Sequence, residues 1–139
     1  MKPHQADPIL GTWKLNLEKS KYDGVPAPKS RTVTWAAQEG GMMKLTIDQM
    51  DAKSQSTRIE WLGKFDGKEY PATGSAALDT VSAKRIDALT IEFTQKKDGK
   101  IVATTNGVIS KDGKTHTSVW KGTDEKGKPQ GWTMVHEKL

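Results

Sequence analysis

The last predicted strand of the chain carries side chains that could hold a ligand or move a proton. Trp132, Met134 and His136 alternate with other residues in this segment, so the three share one face of an extended strand. A histidine can donate or accept a hydrogen bond and can exchange a proton near neutral pH. The alternative is a histidine that is hydrogen-bonded to a side chain of a neighbouring strand, as buried polar groups usually are.

A second histidine lies on the preceding predicted strand. His116 shares a face with Ser118 and Trp120, so a His-Ser-His cluster across the last hairpin is conceivable. A Ser–His pair without an oriented carboxylate or oxyanion donors is weak evidence for hydrolysis. Solvated polar residues near the rim of a sheet explain the pattern equally well.

One arginine and several tryptophans are candidates for a binding pocket. Arg85 alternates with Val81 and Ala83, which indicates that it shares their inward face and could bind an anionic group. Alternatively, it extends to solvent or stacks on a tryptophan. Ligand sites are commonly lined by aromatic rings, and the chain has five tryptophans. The rings considered for a pocket wall, each of which could instead simply fill the interior, are Trp35, Trp61, Trp120 and Trp132.

The composition excludes several kinds of site. The chain has no cysteine, which rules out disulfides, thiolate catalysis and zinc–thiolate sites. Its three histidines show no helical or hairpin ligand spacing, so we expect no metal and no cofactor. The longest apolar runs are too short for a membrane span. No apolar leader is visible in residues 1–7, which leaves the compartment open between the cytoplasm and an exported form whose leader has been removed.

The net charge of +5 and the pI near 9.4 raise the question of nucleic-acid binding. The lysines, however, fall mainly at predicted turns and strand ends and are interleaved with acidic residues. A nucleic-acid interface needs a concentrated basic face joined to aromatic side chains. We therefore expect no nucleic acid as a partner. The oligomeric state is left open by the sequence.

Four Gly-Lys turns divide the second half of the chain, and the runs between them alternate apolar and polar residues. Asp-Gly supplies the positive φ angles of a tight reversal, and alternation is typical of strands with one wet face. The pattern predicts an all-β fold, a single up-and-down antiparallel meander β-barrel of about eight to ten strands. The barrel is predicted to span 11–139, after an N-terminal tail at 1–10, and its closure near Pro71 and Gly74 is left open. The turns are Asp66-Gly67-Lys68, Asp98-Gly99-Lys100, Asp112-Gly113-Lys114 and Lys126-Gly127-Lys128.

Both ends of the chain carry short motifs with a family resemblance. Gly11-Thr12-Trp13 opens the first predicted strand and resembles the corresponding motif of the calycins, the group that contains lipocalins and fatty-acid-binding proteins. The segment from Thr133 to Lys138 resembles the final strand of the fatty-acid-binding proteins, and the whole chain resembles small bacterial lipocalin-like proteins. The resemblance implies a barrel around a ligand cavity, with Trp13 as a structural residue that closes the barrel floor.

The chain departs from the fatty-acid-binding-protein pattern in two places. In that family an arginine and a tyrosine of the last strand bind the ligand carboxylate, and the corresponding positions here are Met134 and His136. Met offers no charge-assisted bond, so that mode of fatty-acid binding is not expected. The link at 18–29 is too short and too rich in proline for the family's helical lid, so the cavity mouth should be more open or covered differently.

The resemblance implies non-covalent binding of a small apolar or amphipathic ligand inside the barrel, as by a carrier or sensor. One alternative is an acid–base enzyme of the isomerase or hydratase type that uses His136. Another is a basic surface module for a polyanion or a partner protein. The residues expected to contact the ligand are Trp35, Trp61, Arg85, Trp132, Met134 and His136.

Overall fold

The computed structural model describes residues 7–22, 25–123 and 126–139, which form eleven antiparallel strands and one short 3₁₀ turn, Glu39–Gly41. The strands are β1 (Gly11–Leu15), β2 (Lys21–Tyr22), β3 (Ser30–Ala37), β4 (Met43–Met50), β5 (Ser56–Gly63), β6 (Asp66–Thr73), β7 (Thr80–Asp87), β8 (Thr90–Lys97), β9 (Lys100–Ile109), β10 (Thr115–Thr123) and β11 (Pro129–Lys138). No helix within these ranges is long and apolar enough to cross a membrane.

The strands form one closed sheet. From β3 to β11 each strand pairs with its neighbour in sequence, while β1 pairs with both β3 and β11. β2 pairs with β11 beside β1, so these two short strands share one edge of β11 and the eleven strands make a ten-position barrel. The predicted single up-and-down antiparallel barrel is confirmed, and the described residues contain no helical lid.

The chain between β1 and β2 leaves the ladder but stays bonded to β11. The backbone N–H of Asn16 donates to the Val135 carbonyl at 2.8 Å, and the Ser20 hydroxyl accepts from the Val135 N–H at 2.9 Å. The link that was predicted at 18–29 contains β2, and its residues Val25 and Pro28 border the open end of the barrel. Residues 23–24 of this link lie outside the described residues.

Three of the four Gly-Lys segments form the predicted turns. Gly99, Gly113 and Gly127 connect successive strands and have φ angles of +78°, +74° and +78°. Gly67 differs, because β5 and β6 are joined at 64–65 and Gly67 lies inside β6. The register with β7 shifts there, so the left-handed conformation of Gly67 serves a β-bulge and the prediction of a turn was wrong.

The β5–β6 ladder near Pro71 is short, but the sheet is continuous there. β5 and β6 share only two register pairs, Glu60 with Thr73 and Trp61 with Ala72. The Trp61 indole crosses this thin part of the wall, because its Nε1 donates to the Val81 carbonyl of β7 at 3.0 Å. A side chain thus supplements the short backbone ladder at this point.

One end of the barrel, the closed end, is filled by side chains. Ile9 is fully buried, and Trp13, 1% exposed, donates from its Nε1 to the Ile9 carbonyl at 2.8 Å. Asp7 accepts a hydrogen bond from Arg85 in the same region. Residues 7–10, assigned to the tail by the sequence analysis, therefore pack into the barrel floor.

Candidate ligand-binding cavity

Alternation along each strand decides which side chains face the barrel interior. In β3 the inner positions are Arg31, Val33 and Trp35, and in β11 they include Trp132, Met134 and His136. These residues border a cavity of about 190 Å³ inside the barrel. Five of the six residues expected to contact a ligand border this cavity, namely Trp35, Trp61, Trp132, Met134 and His136.

A larger vestibule of about 480 Å³ adjoins the inner cavity at the open end. Tyr22 and Pro28 border it from the link, and Asp51 and Gln55 border it from the connection between β4 and β5. The vestibule and the inner cavity share three lining residues, Arg31, Trp132 and Met134. A ligand larger than the inner cavity would therefore extend past Arg31 toward solvent.

Aromatic rings form a stack at this boundary. Trp132 and Trp120 are directly opposite in the β10–β11 ladder, with ring centroids 3.9 Å apart and ring planes inclined by 2°. Tyr22 stacks on Trp132 from the β2 side, with centroids 5.9 Å apart and planes inclined by 28°. Both faces of Trp132 are thus covered, so a ligand meets the edge of its indole.

Among the described residues that border the inner cavity, Arg31 alone has a permanent charge. Its Nη1 donates to the Gln49 Oε1 at 2.9 Å, and its Nε has no partner. Burial lowers the pKa of the Arg31 guanidinium, which is a measure of how poorly its charge is solvated. None of the ion pairs in the described residues includes Arg31. A desolvated cation without a carboxylate is energetically unfavourable, which makes this side chain the strongest candidate anchor.

His116 and His136 lie deeper in the barrel, directly opposite each other on β10 and β11. His136 is 2% exposed, and both of its ring nitrogens lack partners, as does the Nε2 of His116. Burial, assisted by the charge of Arg31, lowers the pKa of His116 to about 4. Burial, Arg31 and His116 together lower the pKa of His136 to about 3. Both imidazoles are therefore neutral near pH 7.

The unpartnered polar atoms of the protein gather around these two spaces. Within the described residues, six buried side-chain nitrogen and oxygen atoms lack a hydrogen-bond partner, and every one belongs to a residue that borders the cavity or the vestibule. Buried polar groups are otherwise almost always satisfied. The atoms are Tyr22 Oη, Arg31 Nε, Gln95 Oε1, His116 Nε2, His136 Nδ1 and His136 Nε2.

The structure places Arg85 away from the cavity. It does lie on the inner face of β7, but at the closed end, where it pairs with Asp7 and its Nη1 donates to the Ala88 carbonyl at 3.0 Å. Its guanidinium carbon is 5.2 Å from the centre of the Phe65 ring. The expectation that Arg85 replaces the missing ligand-binding arginine is corrected on this point, because its charge already has an acidic partner and an aromatic one.

Sequence reasoning missed Arg31, Tyr22 and Gln95. The signal for Arg31 is present, since it lies two residues before Val33 and four before Trp35 and so shares their face. Tyr22 lies in the irregular link, where alternation gives no guidance. Gln95 follows Phe93 by two positions on β8, and its Nε2 donates to the Thr105 hydroxyl at 2.9 Å, leaving its carbonyl oxygen free.

Comparisons with known proteins identify the fold. Wild-type fluorescent protein UnaG has 16% sequence identity to the chain and a TM-score of 0.66, with 97% of this chain and 100% of that one covered. Two single-residue variants of UnaG match with 16% and 18% identity and TM-scores of 0.62 and 0.59, covering 97% of this chain and 99% of theirs. No protein-family model matches the chain, and neither does any curated protein.

The solved structures confirm the predicted resemblance at the level of fold. A single barrel superposes along almost the whole chain, which establishes the antiparallel β-barrel fold, and the described residues contain no helical lid. At 16–18% identity the likeness concerns the fold alone, because one fold carries many functions. The function must be argued from the cavity.

Proposed function

We propose that this protein binds, without covalent chemistry, a small amphipathic molecule that carries an anionic group. The anionic group would lie against Arg31, and the apolar part would occupy the inner cavity between aliphatic and aromatic side chains. Trp35, Trp61 and Met134 would supply apolar wall there. The proposal keeps the expected class of ligand and moves its anchor from Arg85 to Arg31.

The observation that carries this proposal is a half-buried arginine whose enclosed Nε has no hydrogen-bond partner and which has no carboxylate partner among the described residues. Arg31 bonds to a neutral amide and has a free Nε at the boundary between cavity and vestibule. An arginine binds carboxylate, sulfonate or phosphate oxygens through short charge-assisted bonds. An anionic ligand would supply the missing partner and offset the cost of burying the charge.

The apolar lining of the cavity supports an apolar ligand body. β4 and β5 contribute Leu45, Ile47, Ile59 and Trp61 to it, and β8 contributes Phe93. Burying an apolar group against such a wall releases about 25 cal/mol per Å² of apolar surface. The combination of one cation with an apolar wall favours an amphipathic molecule over an inorganic anion.

The acid–base enzyme is less well supported. At neutral pH the His136 imidazole holds no extra proton to give as a general acid, because burial and Arg31 keep its pKa at about 3. An imidazole with such a low pKa is also a weak general base. Surface binding of a polyanion has less support too, since Lys44 pairs with Glu60 and Lys96 with Glu69 on the barrel surface.

Anilinonaphthalene sulfonate, an amphipathic aromatic anion, tests the proposal. We expect its fluorescence to rise saturably with the protein, tryptophan emission to change in parallel, and decanoate to compete with it. Native mass spectrometry of freshly purified protein would detect a co-purified ligand of the same class. Saturable binding of the probe by a urea-unfolded sample, or no binding by the folded protein, would contradict the proposal.

A further inference from the structure

The polar groups of the inner cavity are confined to one side of the barrel. β5, β6 and β7 contribute only apolar side chains to it, represented by Ile59, Ala72 and Val81. The polar side chains come from β3, from β8 and from the three last strands of the barrel. They are Arg31, Gln95, Thr105, His116, Ser118 and His136.

These polar groups also lie at two depths. Arg31 is opposite Gln49 near the open end and borders the vestibule. The histidines lie deeper: both border the inner cavity and neither borders the vestibule, and the His116 ring centroid is 5.7 Å from that of Trp13, the residue that packs on the floor. A ligand anchored at Arg31 that fills the inner cavity would thus place its far end near the histidine pair.

The histidine pair fits closely into this part of the barrel and keeps ring nitrogens available for hydrogen bonds. Gly107 leaves the space that the His116 ring occupies, because a β-carbon at residue 107 would lie 2.5 Å from the His116 Nε2. Neutral imidazole carries one donor and one acceptor nitrogen, and three of the four ring nitrogens of the pair lack partners. Arg31 lowers the pKa of both histidines, and His116 also lowers the pKa of His136.

We propose that the ligand carries a second polar group, neutral and able to hydrogen-bond, at the end remote from its anionic group, and that this second group binds His116 and His136. A hydroxyl, amide or carbonyl group has the required chemistry. This inference rests on the proposed function and narrows it: a plain fatty acid, with a methyl terminus, would cover the imidazole nitrogens and leave them without partners.

Whether a terminal hydroxyl on the ligand strengthens or weakens binding shows whether the far end of the cavity is polar or purely apolar. A terminal hydroxyl that enters a purely apolar pocket loses its water and weakens binding. One that meets the unpartnered imidazoles gains hydrogen bonds and also satisfies buried nitrogen atoms, which strengthens binding. The sign is independent of the contribution that the carboxylate makes at Arg31.

The experiment compares two matched series, the straight-chain carboxylates from hexanoate to dodecanoate and their ω-hydroxy counterparts, by competition with anilinonaphthalene sulfonate at neutral pH. The alkyl chains are flexible and differ in length, so one member of the series should match the separation between Arg31 and the histidine pair. We expect the ω-hydroxy acid to bind about threefold to tenfold more tightly than its parent at the best length. Weaker binding of the hydroxy acid at every length would overturn the inference and leave the proposed function intact.

Substitutions test whether the preference for the ω-hydroxy acid depends on the histidine pair. In His136→Leu and His116→Leu the hydroxyl should weaken binding, whereas in Thr117→Ala, on the outer side of β10, the preference should match that of the wild type. An unchanged preference in both histidine variants would refute the assignment to the pair. If neither series competes with the probe at any length, the proposed function fails, and this inference fails with it.

A readout on the unmodified protein avoids dependence on the folding of the variants. Long-range ¹H–¹⁵N spectra report the tautomer and hydrogen bonding of each imidazole. The ω-hydroxy acid of the best length should shift the ring nitrogens of His136 more than its parent acid does. Equal shifts for the two ligands would count against a bond to the pair.

Discussion

The guanidinium of Arg31 donates to the side-chain carbonyl of Gln49, 2.9 Å away and directly opposite in the β3–β4 ladder. An amide oxygen orients the guanidinium but does not neutralise it, and a carboxylate at this position would have satisfied the charge internally. The pairing therefore holds Arg31 in place and leaves its positive charge available to a ligand.

Replacing Arg31 should separate affinity from stability. In Arg31→Met we expect the affinity for decanoate to fall about tenfold to hundredfold, because a charge-assisted interaction is lost. The free energy of unfolding should stay the same or rise by about 1 kcal/mol, because a desolvated cation is removed. Competition fluorescence and urea denaturation measure the two quantities.

Two further arginines provide matched controls for that change. Arg58→Met removes an exposed cation that pairs with Asp48 on the outer face of the barrel, and Arg85→Met removes the cation that pairs with Asp7 at the closed end. Both variants should bind decanoate with wild-type affinity. Loss of binding in Arg85→Met but not in Arg31→Met would restore Arg85 as the anchor and refute the site described above.

The buried histidines should make the protein less stable in mild acid. Their pKa values are about 4 and about 3 in the folded state against 6.5 for a free histidine, so the unfolded chain takes up more protons as the pH falls. The stability is therefore complete above the unfolded pKa of 6.5 and is lost progressively as the pH falls toward the folded values. Each histidine contributes a slope of at most about 1.4 kcal/mol per pH unit.

Urea denaturation between about pH 7 and about pH 5 isolates this effect, since the carboxyl groups with lowered pKa values titrate mostly below that window. His136→Leu should reduce the slope by roughly half. A free energy of unfolding that is constant across the window would mean that the imidazoles accept protons in the folded state, contrary to their burial.

Gly107→Ala tests the close contact between β9 and the His116 ring. The added methyl group would lie 2.5 Å from the His116 Nε2, so the ring must move and the core must repack. We expect a loss of about 1–3 kcal/mol in stability and a changed imidazole spectrum for His116. Asn106→Ala, one residue earlier on the outer side of the strand, should leave the His116 spectrum as it is.

Ile9→Ala tests whether the segment before β1 belongs to the barrel. Ile9 is fully buried beneath Trp13, so its truncation should lower the free energy of unfolding by about 2–4 kcal/mol. Truncation of Leu17, which is 43% exposed, should cost much less. A thermal denaturation curve for Ile9→Ala that coincides with that of the wild type would mean that residues 7–10 do not stabilise the fold.

The sequence predicted the meander because most strands and most turns can be recognised from local sequence patterns. Gly99 and Gly113 adopt the positive φ that an Asp-Gly reversal requires, and Trp35 and Trp61 point inward as period-two alternation demands. Gly67 is a position where the local pattern does not determine the structure. A left-handed glycine serves a bulge as well as a turn, and only the pairing of β6 with β7 decides which one forms.

The binding site was less predictable, because alternation determines the face of a residue but not its depth in the barrel. Arg85 and Arg31 both share a face with buried apolar neighbours, and both do lie on the inner side. Strand register then places Arg85 at the closed end, within reach of Asp7, and Arg31 at the boundary between cavity and vestibule. That register depends on contacts between distant segments, which a local pattern does not contain.

The pairing of β1 with β11 has a consequence for how the protein folds. Asn16 contacts Glu137 across 121 positions, so the seam joins two strands that are far apart in the sequence, and loops of that length close slowly. From β3 to β11 each strand pairs with its neighbour along the chain, so these hairpins can form in any order. We therefore expect closure of the seam to be the late, rate-determining step. A chain without β11 would have the hairpins but no enclosed interior, and ligand binding would begin only after β11 has joined the sheet.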